Sequence, residues 1–202
     1  MSPDWPIARA RLRQHAVSRV LAYPFKCLHR LDWFTAGALL EWNLRRHAKA
    51  FGPGSRVNGR CEISGTERLE LGSNVHLGHG ALIRAEGGVY IGDNTHIARD
   101  LILYSVSHEY QGLRLPYDDS VRARSVSIGR NVWIGVRVTI LPGAQIGDGV
   151  IIGAGSVVSG TVEPLSILGA NTAGVIGSRD AGHYQQLDEA RSYGGVGGSH
   201  TS

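Results

Sequence analysis

Every sixth residue across much of this chain is isoleucine, valine or leucine, most regularly at Ile128, Ile134, Ile140, Ile146, Ile152 and Val158. Glycine follows four of these six directly, as Gly129, Gly135, Gly147 and Gly153. A small residue or valine fills the fifth place of each hexad: Val132, Val138, Ala144, Val150 and Ser156. A period of six is neither the 3.6 of a helix nor the alternation of a simple strand. It belongs to a solenoid whose short strands stack coil upon coil, a parallel β-helix. The predicted fold class is therefore all-β solenoid.

The phase of the repeat predicts how the coils register. The pattern apolar-x-apolar-Gly-x-Asn occurs as Leu69 to Asn74, Val89 to Asn94 and Val126 to Asn131. The first two copies are 20 residues apart, the third follows after 37, and the next coil start, Ile146, comes 18 later. Three inward columns result, one per face of a triangular prism. They are Phe51, Leu71, Ile91, Ile128, Ile146; Val57, Leu77, Ile97, Ile134, Ile152; and Ile63, Ile83, Leu103, Ile140, Val158. Coils about 4.8 Å apart bring equivalent positions into contact. Gly and Asn at the corners suit sharp bends that need φ > 0, so the Gly-x-Asn copies read as corner chemistry and not as nucleotide binding.

One coil is too long by about 17 residues, and the excess falls at a single corner between Leu103 and Ile128. A long loop on a tight solenoid is usually functional. This one, 104–125, carries His108, Glu109, Tyr110, Asp118 and Asp119. The organisation expected is a helical arm or cap over 1–50, the β-helix over 51–177, and a short C-terminal helix with a flexible tail over 178–202.

Charge is placed unevenly. Residues 1–50 hold nine Lys/Arg against three Asp/Glu, a net +6, while the rest of the chain nets −2. The arm also carries Trp5, Trp33 and Trp42 of the four tryptophans. Its apolar spacing suits a helix interrupted near Pro24 and a second one capped by Asp32 and ending before Gly52. Such an arm can cover the open first coil, or rest its basic face on an anionic membrane. No groove-reading motif accompanies the charge, which argues against nucleic-acid binding. Cys27 and Cys61 have no metal or redox spacing, and Cys61 falls at a fifth-place hexad position, where a small buried residue belongs. The first six residues lack a signal-peptide layout and no apolar run reaches about 18 residues, so the expected location is cytoplasmic, at the inner membrane face if the arm docks there.

From about Val57 to Ile176 the chain resembles the hexapeptide-repeat acyltransferases, whose prism is a left-handed β-helix. The loop Ser107-His108-Glu109-Tyr110, followed by Val126 to Gly135, is similar to the galactoside/maltose O-acetyltransferases and more so to the bacterial polysaccharide O-acetyltransferases. The run from Ile140-Leu141-Pro142-Gly143 to Val158 matches the same group. The resemblance implies acetyl-CoA as acyl donor, a carbohydrate acceptor, no metal, and a homotrimer with sites between neighbouring prisms. It places the catalytic base at His108, and imidazole is the side chain best tuned to take a hydroxyl proton at neutral pH. Glu109, Asp118 and Asp119 are the candidates to orient it. Trp133 occupies an outward hexad position and is placed by the resemblance beside pantetheine or acceptor. Val136, Ala154 and Ser159 take the remaining donor positions; Arg84 and Tyr110 take acceptor positions. Gly160 and Gly174 stand where relatives carry basic residues for the coenzyme's phosphates, with Arg137 and Arg179 as the nearby cations.

Two other readings share the prism. His76 and His96 stack in one outward column, as in the zinc-binding gamma-class carbonic anhydrases, and a neighbour's His79 would have to complete a site. A prism without catalysis, serving as a binding scaffold, is the other.

Overall fold

The computed structural model describes residues 35–169, 178, 180–190 and 192. The expected helix break near Pro24, the Asp32 cap, Trp5, Trp33, Cys27, Gly174, Arg179 and nearly all of the C-terminal tail lie outside these residues.

Short strands of two or three residues wind into six coils and align as three parallel sheets. The first sheet stacks β1 (Ala50–Phe51), β4 (Leu69–Leu71), β7 (Val89–Ile91), β12 (Val126–Ile128), β15 (Gln145–Ile146) and β18 (Thr161–Val162). The second stacks β2 (Arg56–Val57), β5 (His76–Leu77), β8 (His96–Ile97), β13 (Trp133–Ile134), β16 (Ile151–Ile152) and β19 (Ile167–Leu168). The third stacks β3 (Glu62–Ser64), β6 (Leu82–Arg84), β9 (Ile102–Tyr104), β14 (Thr139–Ile140) and β17 (Val157–Val158).

The three inward columns expected from the repeat are the observed registers. Phe51 pairs with Leu71, Leu71 with Ile91, Ile91 with Ile128 and Ile128 with Ile146. The columns through Ile134 and through Ile140 align in the same way. Together with the fifth-place residues they form the buried core. Cys61 packs against that core but is only half-buried, donating its thiol to the Gly78 carbonyl.

The corners work differently from the expectation. Asn74, Asn94 and Asn131 do take left-handed backbone, with φ of 56°, 57° and 57°. The glycines two residues earlier do not; they are required by close approach. A Cβ on Gly92 would lie 2.7 Å from the Gly129 carbonyl carbon, so any side chain there would push two coils apart. That contact lets each corner N–H reach the next coil. Gly52 donates to Leu71, Gly72 to Ile91, Gly92 to Ile128, Gly129 to Ile146 and Gly147 to Val162, all at 2.8–2.9 Å. Buried hydroxyls serve the same corner. Thr95 donates to the Gly129 carbonyl at 2.9 Å and accepts from the Val132 N–H at 3.2 Å, as Ser55 does with Gly72 and Val75 two coils earlier in the stack.

The open end of the stack is closed by helix α1, described over residues 35–47. Leu44 is fully buried and Leu40 and Ala48 pack on the core. The helix stops at residue 47, short of Gly52, because Ala50 already enters β1. Glu41 Oε2 accepts the edge N–H of Val57 at 3.4 Å, satisfying a group that no preceding coil can reach.

Gly92→Ala should destabilise the fold by about 1–3 kcal/mol through forced coil separation. Gly169→Ala, whose added methyl meets nothing within 4 Å among the described residues, should shift stability by less than about 0.5 kcal/mol. Denaturant unfolding of the two variants provides the comparison.

Candidate active site

The site begins where the overlong coil leaves the prism. Ser105, fully buried, donates its hydroxyl to the Arg84 carbonyl at 2.7 Å and accepts the Gly87 N–H at 2.8 Å. The chain then departs as a ribbon rather than an open loop. β10 (Val106–His108) pairs antiparallel with β11 (Val121–Ala123), placing His108 opposite Val121. Pairing satisfies backbone groups that an irregular excursion would leave to solvent. Arg124 N–H returns to the Ser105 carbonyl at 2.8 Å and the solenoid resumes.

The ribbon tip, 109–120, is organised by Asp118. Its buried carboxylate accepts the N–H of Leu113 at 2.6 Å, the N–H of Ser120 at 2.9 Å and the Ser120 hydroxyl. These donors, the Ser120 hydroxyl foremost, push its pKa down to about 2. Gly112 is needed here, since a Cβ would fall 2.1 Å from the Asp118 carboxylate. Glu109 accepts from Gln111 N–H at 2.9 Å and pairs with Arg122 at 2.6 Å, and these contacts lower its pKa in that order. Asp119 pairs with Arg114 at 2.7 Å.

All three carboxylates expected to orient His108 are thus engaged elsewhere. Among the described residues the imidazole makes no hydrogen bond. It stacks on Tyr117, ring centroids 4.0 Å apart and planes 20° from parallel. Sequence reasoning missed Tyr117, which lies nine residues beyond His108 with no periodic signal; only the folded tip brings the rings together. It also missed the C-terminal contribution. Helix α2 (Ala181–Glu189), capped by Asp180, sends His183 Nε2 to the Gly112 carbonyl at 2.9 Å. Ser192 donates its hydroxyl to Leu113 O at 2.7 Å, and its carbonyl accepts the Leu115 N–H.

A groove of about 350 Å³ opens between the ribbon and the third sheet. His108 lines it with Ser107, Val121, Tyr104, Arg84 and the Leu141-Pro142 corner. Of the expected acceptor contacts, the groove includes Arg84 but not Tyr110 or Trp133. Tyr110 lies under the Arg122 guanidinium, 5.6 Å from the ring centroid. Trp133 is 60 % exposed on the second sheet, in register between His96 and Ile151. Val136 is half-buried beside it in the chain, and Ala154 and Ser159 are exposed one coil on. Gly160 has φ 68°, and among the described residues no atom beyond its chain neighbours lies within 4 Å of where its Cβ would stand.

In Trp133's column His76 and His96 stack with centroids 4.2 Å apart. Burial, then the charges of His96 and Arg56, lower the pKa of His76. Among the described residues no three His, Cys, Asp or Glu side chains converge on a point that could hold a metal.

Residues 125–160 match the family model of the bacterial transferase hexapeptide in six repeats. The chain is a hexapeptide-repeat protein. It is similar to the galactoside O-acetyltransferase of Escherichia coli K12, 36% identical over 102 residues that cover 48% of this chain and 50% of that one. An O-acetyl transferase ascribed to lipopolysaccharide biosynthesis in the same organism is 30% identical over 130 residues, covering 60% of this chain and 66% of its own. The hexapeptide-repeat acetyltransferase of Vibrio cholerae, solved with acetyl coenzyme A, superposes with a TM-score of 0.59 at 24% identity, covering 68% of this chain and 75% of that one. That likeness identifies the solenoid as a left-handed β-helix. The hexapeptide-repeat chain spans about half to two thirds of the length of the curated relatives it matches.

Asp118 ionises more readily in the folded chain than in the unfolded one, so its support of the tip is complete above about pH 4 and is lost as pH falls toward 2. The amide shifts of Leu113 and Ser120 should titrate near pH 2, followed by NMR; a midpoint near 3.8 would mean that these bonds do not persist in solution. Asp118→Asn should broaden the 112–120 signals while leaving those of the coils in place.

Proposed function

We propose that this chain is an O-acetyltransferase that moves an acetyl group from acetyl-CoA to a sugar hydroxyl of a polysaccharide or lipid-linked saccharide precursor. One observation carries the reading: a histidine held by a ring stack, with its nitrogens unspent among the described residues, lines a groove that is otherwise apolar or hydroxyl-bearing except for Arg84. A sugar hydroxyl is too weak an acid to attack a thioester unaided. His108 takes its proton as the oxygen bonds to the acetyl carbon. The carbon–sulfur bond then breaks, and the same proton passes from His108 to the departing coenzyme A thiolate. Tyr117 is the positioning residue for the imidazole, in place of a carboxylate. The similarity to named acetyltransferases supports both the donor and the acceptor class.

Arg84 and Tyr110 are assigned to the acceptor side, and Trp133, Val136, Ala154 and Ser159 to the donor side. Within one chain Trp133 stands on a different face from His108, so the assignment calls for a neighbouring copy, and a homotrimer supplies one. The outer surfaces support such packing. The first sheet presents Glu70, Tyr90, Ser127, Gln145 and Thr161, whereas the second presents Arg56, His76, His96, Trp133, Ile151 and Ile167 and the third Glu62, Leu82, Ile102, Thr139 and Val157. Large apolar side chains gathered on two of the three faces suit a three-fold assembly in which each prism uses two sides. We place the enzyme in the cytoplasm at the inner membrane face, with the basic 1–50 arm against anionic headgroups. No helix among the described residues is long and apolar enough to cross the bilayer.

Calorimetric titration with acetyl-CoA should give micromolar binding at one site per chain. No binding at millimolar donor would sink the assignment of acetyl-CoA. His108→Ala should lower kcat by about 10²–10⁴-fold while leaving donor affinity and sedimentation behaviour as they were. Tyr117→Phe should retain most of the turnover and Tyr117→Ala should lose about tenfold in kcat at similar KM. Equal losses in both variants would assign the role to the phenol hydroxyl and not to the stack.

A further inference from the structure

The groove beside His108 has one permanently charged side chain in its lining, Arg84. It ends strand β6 in register with Tyr104, so its backbone is fixed by the third sheet. Its guanidinium is fixed as well, with Nε donating to Glu86 Oε1 at 2.9 Å. Burial works against ionisation of Glu86, but its own backbone N–H and Arg84 outweigh that and hold its carboxyl below the ordinary range. Arg68 Nη1 donates to the Glu86 backbone carbonyl at 2.6 Å, which fixes the main chain that carries this carboxylate. Among the described residues, neither Nη1 nor Nη2 of Arg84 makes a hydrogen bond. One edge of the fork is anchored and the other is unspent.

An arginine in this state has donors only, and covering it with a ligand that offers no acceptor charge leaves it desolvated and poorly compensated. A planar or tetrahedral anion matches the unspent edge in both charge and geometry. The rest of the lining, Tyr104, Val106, Val121, Leu141 and Pro142, gives a sugar ring apolar surface without a competing charge. We infer that the acceptor taken in this groove is an anionic saccharide, whose carboxylate or phosphate rests on Arg84 while its reacting hydroxyl faces His108. The inference rests on the transferase reading for the role of His108, but the anion site itself does not require turnover. Uronic acids and sugar phosphates share the chemistry that Arg84 recognises.

The test measures binding without catalysis. Ligand-observed NMR on the full chain compares methyl glucuronide, glucose 1-phosphate and methyl glucoside, in the native protein and in Arg84→Gln and Arg84→Lys. At least one anion should bind about tenfold more tightly than the neutral glycoside, and which one does so identifies the source of the charge. Arg84→Gln should abolish that advantage and Arg84→Lys should keep part of it, with acetyl-CoA affinity by calorimetry the same in all three proteins. Equal binding of charged and neutral probes to the native protein, including no binding of any, would overturn the anion site. So would a loss in Arg84→Gln that falls on acetyl-CoA, because the guanidinium would then belong to the donor's phosphates. An anion that binds through Arg84 yet is never acetylated would count against the transferase reading and leave the anion site standing.

Discussion

The whole molecule depends on the hydrogen-bond ladder that ties each coil to the next. Five successive corner N–H groups donate to the coil ahead at nearly constant length, and this is possible only because the corner glycines let backbones approach without a Cβ between them. The spacing this imposes makes each inward residue touch its counterpart one coil away, so burial and hydrogen bonding reinforce one another. The asparagines two residues later turn the chain through left-handed backbone, and Thr95 and Ser55 satisfy buried groups that the turns would otherwise strand.

A rigid ladder also explains where the chemistry can sit. Seventeen extra residues could be tolerated at only one kind of place, a corner, and there only if the stack resumed in register. Gly92 still reaches Ile128 across the insertion, so the solenoid is undisturbed by it. The extruded ribbon is anchored by Ser105 at its root, by Asp118 at its tip and by the α2 segment from outside. The groove thus lies beside a small, separately braced element, and two of the side chains that line it are each held by a partner: His108 by Tyr117 and Arg84 by Glu86.

The outer faces follow from the same geometry. In a strand of two residues one side chain points in and the next points out, so outward positions are free to differ from face to face. Here the first sheet presents mostly polar groups around Tyr90, and the other two set large apolar side chains beside polar ones such as His76, His96 and Thr139, which gives the prism a sidedness that the core repeat does not contain.

Much of this was legible in the residues alone. The period of six, its phase and the 37-residue gap determine the prism, all three inward columns and the position of the excursion, because inward residues must stack and a wrong phase would bury polar side chains. His108 was legible as the candidate base because it lies in that excursion. What the repeat does not encode was decided by tertiary structure. Glu109, Asp118 and Asp119 were equivalent candidates in sequence, and only folding assigned them to Arg122, the tip amides and Arg114. Tyr117 and α2 came to the site through contacts with no periodic signal. Arg84 and His108, 24 residues apart in the chain, share one groove because a coil of the solenoid separates them in sequence and not in space. Local periodicity determines which side chains face the core; which of the remaining side chains meet one another is settled by how the excursion folds back upon the prism.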